Sequence, residues 1–223
     1  MTARLSARLE AVLAQVGRCG LLVDLCADHA RLSLAAVERG QARRAVAIEL
    51  RQAPLAQARR HVRAAHLEPR VLLVRGDGLG LVRAADAVVI AGVGGDLAAQ
   101  LLERSPDAAG AVRVIVQPNR HSREVRLWAR AAGFHLEREQ AIADGRRLHL
   151  VLTLARASGL DPAYGAHPLE AELELGPLLL QSREPAARAH LSRELRRLRE
   201  VAPRQAELGP ALDALERTFH PTH

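Results

Sequence analysis

"LVDLCADHARLS", residues 22–33, decides the fold. An apolar run ending at Asp24 and Leu25 passes through a short polar turn into residues with helical spacing, the order strand, loop, helix. Nucleotide-binding α/β folds place phosphate-admitting glycines in this loop. Here the loop has none, and Cys26 and Ala27 stand at the turn. The same unit recurs downstream: apolar runs at 45–49 (AVAIE), 71–74 (VLLV), 86–91 (DAVVIA) and 112–116 (VRVIV) alternate with helical stretches. Leu55, Ala58, Val62 and Ala65 mark one helix, and Val125, Trp128, Ala129 and Ala132 another. Pro54 falls in a first helical turn, where a missing N–H costs nothing. Near-continuous apolar strands alternating with helices predict a mostly parallel sheet covered on both faces.

The pattern changes after Gly133. "FHLEREQAI" and "RRLHLVLTLA", joined at Asp144-Gly145, predict an antiparallel hairpin closing one edge of the sheet. Leu5, Leu9, Val12, Leu13 and Val16 share one face of a preceding helix that packs across the start of the sheet. Residues 157–168, "ASGLDPAYGAHP", read as a linker. Beyond it one stripe (Leu191, Leu195, Leu198, Val201) and a second (Leu208, Leu212, Leu215, Phe219) predict a helical hairpin. The expected division is an α/β domain over 1–157 and a C-terminal helical hairpin, coiled-coil-like, over 158–223.

The 223 residues carry a net charge of +7, and no lysine contributes to it. The charge is uneven: residues 1–159 hold 24 Arg against 15 acidic residues, whereas 160–223 hold 8 against 10. A basic body favours a polyanionic partner such as RNA, although an arginine-rich solvated surface gives the same count. Cys19 and Cys26 lack the spacing of a disulfide framework or a zinc site, so no metal is expected. With no long apolar run and a charged N-terminus, the expectation is a cytoplasmic protein without membrane contact.

Polar residues cluster where the strands end. Asp24 closes the first strand and Glu49 the second; "RGDGL" follows the third, "AGVGG" (91–95) the fourth and "QPN" (117–119) the fifth. Ligands of open α/β sheets bind outside the carboxyl ends of the strands. A carboxylate closing the second strand suits ribose hydroxyls, and Asp77 between Gly76 and Gly78 suits an adenine amine approached closely by backbone. A single strand-end Asp can equally cap a helix; three at this spacing favour a nucleoside. The glycines follow the fourth strand and not the first, which argues against a nicotinamide dinucleotide.

Together "VDLCADHARLS", "AVAIE", "RGDGL", "VVIAGVGGDL", "VIVQPN", "DGRRLHLVL" and "ELGPLLLQ" resemble the bacterial TrmK family of tRNA (adenine-N1)-methyltransferases through nearly the whole chain. "AGVGG" followed by "QPN" is the specific part. The resemblance implies a class I, Rossmann-like methyltransferase with a seven-stranded sheet, S-adenosyl-L-methionine as cofactor, and N1 of adenosine 22 in tRNA as target. By match to the family's motifs, Asp24, Cys26, Asp28 and His29 line the methionine end. Glu49 and Leu50 take the ribose side, and Gly76, Asp77 and Gly78 the adenine. Ala91 and Gly92 complete the cofactor site. Arg31, Val93, Gly94, Gly95, Gln117, Pro118 and Asn119 face the target base, and Asp28 takes the electrostatic catalytic role. Three positions depart from the family pattern, which has Gly at Cys26, an aromatic at Arg31 and Pro at Ser33. They motivate an alternative: a divergent member that binds cofactor or RNA without turnover, or acts on another substrate. Monomer and homodimer are both left open.

Overall fold

The structure is a computed structural model describing residues 5–78, 85–104 and 113–201. Its elements in chain order are α1 (Ala7–Val16), β1 (Cys19–Leu25), α2 (Arg31–Glu38), β2 (Ala42–Glu49), α3 (Gln52–Ala64), β3 (Val71–Arg75), β4 (Ala87–Val93), α4 (Gly95–Glu103) and β5 (Arg113–Pro118). There follow α5 (Ser122–Ala131), β6 (Phe134–Asp144), β7 (Arg147–Arg156), α6 (Leu169–Leu175), α7 (Pro177–Gln181) and α8 (Pro185–Val201).

Seven strands form one sheet in the order β3-β2-β1-β4-β5-β7-β6. β1 through β5 pair in parallel, and β7 runs antiparallel between β5 and β6. The edge hairpin expected from the Asp144-Gly145 signal is present. Its register ends on Asp144 opposite Arg147, with Gly145 at φ 61 as the first of two turn residues. A positive φ there matches the strand twist, which is why glycine serves.

Burial alternates along the strands as a doubly covered sheet requires. Val23, Leu25, Val88, Ile90, Val114 and Val116 pack with α4, α5 and the later helices on one face. Leu22, Val89 and Ile115 pack with α1 and α2 on the other. α1 crosses that second face from the carboxyl edge of the sheet, where Arg8 lies, back to the start of β1. All five of its expected apolar residues belong to the core or pack on it.

The segment after β7 is docked. Asp161 accepts from the Leu136 and Ala163 amides at 2.8 and 3.0 Å, and Ala163, Leu175, Leu179, Leu191 and Leu198 join the sheet's own core. α8 carries the first predicted stripe, with Leu191 and Leu198 buried. The second stripe, 208–219, lies outside the described residues. Beneath α6 and α7 sits a buried ion pair, Arg126 to Glu139 at 2.7 Å with both side chains fully covered. Arg126 Nη1 also donates to the Leu173 and Glu174 carbonyls, and Glu139 Oε2 accepts from the Leu178 and Leu179 amides. Gly176 passes over this pair. A Cβ there would lie 2.5 Å from Glu139 and 2.7 Å from Arg126, at a φ of 98 that also favours glycine. Pro177 then starts α7, so "ELGPLLLQ" is the chain's crossing of its buried charges. No helix among the described residues is long and apolar enough to cross a membrane.

Candidate active site

The loop after β1 replaces missing glycines with strained ordinary residues. Cys26, Asp28 and Ala30 take φ of 57, 49 and 55. Left-handed backbone costs an L-residue about 1–2 kcal/mol, and the fixed neighbours hold it there: the Ala27 amide donates to the Ile48 carbonyl at 3.1 Å, and the Ala30 amide to the Ala27 carbonyl at 2.7 Å. The position where the family pattern has glycine is thus one whose φ favours glycine, and Cys26 adopts it nonetheless. Burial pushes its thiol up to about 11, so it is un-ionised at neutral pH.

Asp24 is buried and faces the first turn of α2 at Ser33, while the N-cap residue Ala30 makes no side-chain cap bond of its own. It accepts from the Ser33 hydroxyl at 2.7 Å. Burial pushes Asp24 up to about 7, against the opposing effect of Ser33. Ser33, the third departure, therefore serves as the donor to the strand-end carboxyl. Glu49, also buried, accepts from the Asp28 amide at 3.0 Å through Oε2 and from the Arg51 amide at 2.8 Å through Oε1. It thereby ties the β1 loop to the start of α3. The Asp28 carboxylate is half-exposed, 3.5 Å from both His29 Nε2 and Arg51 Nη2. His29 Nδ1 is buried without a hydrogen-bond partner.

One cavity is lined by Asp24, Cys26, Asp28, His29, Arg31 and Ala91, so all four predicted methionine-end residues meet. Arg8, on α1, lines the same cavity and was not singled out in the sequence. An Arg in an amphipathic helix 16 residues before Asp24 looks solvated, and only the fold carries it to this edge. Burial lowers its pKa, while Asp144 and Asp28 pull it back up. Leu50 is 57 % exposed at the end of β2. The Gly76 amide donates to the Glu49 carbonyl at 3.3 Å, which brings Asp77 and Gly78 beside it.

The base-side residues form a second group. β4 and β5 shift register between Ala91 and Val93, and Gly92 at φ 83 is the residue that absorbs the shift. Asn119 closes the irregularity, its amide donating to the Val93 carbonyl and its Nδ2 to the Gly92 carbonyl, both at 2.7 Å. Gln117 is fully buried and accepts from Arg8 Nη1 through Oε1. Pro118 is buried opposite Val93. Gly94 caps α4, while Gly95 is buried against the β5–α5 turn, where a Cβ would fall 1.9 Å from the His121 carbonyl oxygen. Its glycine requirement is a packing requirement. Beside this group a groove runs between Asn119, Arg120 and His121, the hairpin residues Arg147, Leu148 and His149, and Arg193, Glu194 and Arg197 of α8.

A sheet of this order, with acidic residues closing its first two strands and a last strand inserted antiparallel, defines a class I S-adenosylmethionine-dependent methyltransferase. The model of the tRNA (adenine(22)-N(1))-methyltransferase family, TrmK, matches residues 22–216. The chain belongs to this family. A tRNA (adenine(22)-N(1))-methyltransferase of Bacillus subtilis (strain 168) is 31% identical over 201 residues, covering 89% of this chain and 84% of that one. The crystal structure of the B. subtilis m1A22 tRNA methyltransferase TrmK superposes with a TM-score of 0.83 at 27% identity, over 97% of this chain and 96% of its own. A Streptococcus pneumoniae protein described as a putative tRNA (m1A22) methyltransferase, solved in complex with S-adenosyl-L-methionine, gives 0.83 at 26% identity over 97% and 100%.

Proposed function

We propose that this protein methylates N1 of adenosine 22 in tRNA with S-adenosyl-L-methionine as donor. The observation that carries the reading is the family match from Leu22 to Glu216, spanning every strand-end group of the site. The residues fit the cofactor. Glu49 holds a carboxylate at a strand end whose Oε2 takes only the Asp28 amide and so has acceptor capacity left, and Leu50 offers an uncovered apolar side chain next to it, beside Asp77. Asp24, Cys26, Asp28 and His29 would hold the methionine end, Glu49 and Leu50 the ribose side, and Gly76, Asp77 and Gly78 the adenine, with Ala91 and Gly92 completing the site.

When bound, the cofactor supplies an electrophilic methyl on a sulfonium. The adenine N1 lone pair is basic enough to take it, so positive charge passes to the base and no proton leaves in that step. The chain then needs to align the base and accommodate a cation, not to abstract a proton. Asp28, a half-exposed carboxylate at the cavity, serves the second need; Arg31, Val93, Gly94 and Asn119 serve the first, backed by the buried Gly95, Gln117 and Pro118. The groove bearing Arg120, Arg147, Arg193 and Arg197 suits an RNA backbone continuing from the base. His149 within it has its pKa lowered first by burial and then by Arg8, against Asp144, with Arg147 and Arg193 adding to the lowering.

The methyltransferase domain is assigned to 1–157 and the helical appendage to 158–223. The protein is taken to work in the cytoplasm, as a monomer or homodimer. The test is methyl transfer from labelled S-adenosylmethionine to unmodified bacterial tRNA, with the product nucleoside mapped by mass spectrometry. N1-methyladenosine at position 22 is expected. Absence of transfer, or methylation at another atom, defeats the reading.

A further inference from the structure

We propose that Arg8, Gln117 and Asn119 form a relay that reads the target adenine through its N6 amine and N7, leaving N1 free to receive the methyl group. The inference rests on the base-facing reading of residues 117–119 and adds the edge recognised and the residue that sets it.

The polarity of the relay is fixed at both ends. A guanidinium only donates, so the Gln117 atom facing Arg8 Nη1 is the oxygen. The Gln117 NH2 then donates to the Pro118 carbonyl at 3.2 Å and to Asn119 Oδ1 at 3.3 Å. A backbone carbonyl only accepts, so Asn119 turns its Nδ2 to the Gly92 oxygen at 2.7 Å. Both amides are thereby locked in one orientation, with no flip that satisfies every partner. Gln117 is fully buried, and without Arg8 its carbonyl would lose the donor that holds it.

Asn119 is exposed, and with one bond made at Oδ1 and one at Nδ2 it retains an acceptor site on the oxygen and a hydrogen on the nitrogen. An acceptor beside a donor at carboxamide spacing matches the N6–H and N7 of adenine, the pairing by which Asn recognises this base elsewhere. The alternative edge, N6 with N1, would occupy the lone pair that must attack. A guanine presents an oxygen where adenine has its amine, so the same orientation rejects it. Arg8 is thus a positioning residue, acting through Gln117 on a specificity contact made by Asn119.

The experiment compares tRNA carrying adenosine or 7-deazaadenosine at position 22, the latter unable to accept at ring position 7. Wild type on ordinary tRNA is the control: if it transfers nothing, the proposed function fails and the relay is not in question. With activity present, the deaza substrate is expected to lose about tenfold in kcat/KM, with weaker binding of the RNA in the absence of cofactor. Asn119→Asp, which cannot donate and repels N7, should be slower on adenosine and show no further deaza penalty. Arg8→Ala should lose the discrimination, and Arg8→Lys, which can still donate to Gln117, should regain part of it. Equal rates and equal affinity on the two wild-type substrates would overturn the N7 contact. A full deaza penalty in folded Arg8→Ala and Arg8→Lys alike would remove Arg8 from the relay.

Discussion

Cys26 shows how a sequence departure and a conformational demand meet at one residue. Its φ of 57 is what glycine adopts freely, so Cys26→Gly removes strain at a small entropic cost. Stability in urea should hold or rise by up to about 1 kcal/mol, with cofactor affinity kept; Cys26→Val, β-branched in the same backbone, should lose about 1–3 kcal/mol. Asp24 makes a prediction of the opposite kind. Its pKa is about 7 in the folded chain against an ordinary 3.8, so the native state keeps a proton that the unfolded chain releases in between. The stability this group contributes is full below about pH 4 and is lost as pH rises to 7, at up to about 1.4 kcal/mol per pH unit. Measured by urea denaturation, wild type should lose stability relative to Asp24→Asn across that window and run parallel to it above pH 8. Asp24, Glu49 and Asp77 were legible in the sequence because strand ends are. The polarity of Gln117 was not, because it depends on a guanidinium 109 residues away.

Among the elements, the strands and the edge hairpin followed directly from apolar runs and a turn dipeptide, since each signal is local. The docking of α6 and α7 did not. Arg126 sits in a helix between Val125 and Leu127 and reads as a solvated charge, yet it is fully buried against Glu139. Removing one member of such a pair leaves the other charged and uncovered, which costs about 3–5 kcal/mol. Arg126→Ala should lower the unfolding free energy by that amount. Arg126→Met with Glu139→Leu should cost much less, because no orphan charge remains. Chemical denaturation of the two variants separates a requirement for the pair from a requirement for covered volume.

For the molecule as a whole, the charge asymmetry seen in the sequence acquires a place. The excess of arginine in residues 1–159 meets α8 at the groove of Arg120, Arg147, Arg193 and Arg197, so the more acidic C-terminal segment still contributes cations there. Arg193 and Arg197 each lie near Glu194, at 3.3 and 2.8 Å, which turns both guanidinium groups toward a shared carboxylate. Deleting one arginine that pairs with a phosphate should lower the slope of log affinity against log salt by about one. Arg147→Ala with Arg193→Ala should therefore flatten the salt dependence of tRNA binding by about two, measured by filter binding over a salt series, with cofactor affinity unmoved. The family resemblance reached this scale from short motifs, whereas the groove itself needed the sheet edge and α8 brought together. The buried pair beneath Gly176 also bears on how the chain is made. Glu139 emerges from the ribosome together with Arg126, but its two amide donors lie 39 and 40 residues later. Until residue 179 has cleared the exit tunnel, Glu139 on β6 lacks two of its three partners, and until residue 174 has done so Arg126 on α5 lacks two of its four. The helical cover over this end of the sheet is then completed late in synthesis, and a nascent chain arrested before that point presents an uncovered apolar face and a half-bonded charge pair to whatever chaperone meets it first.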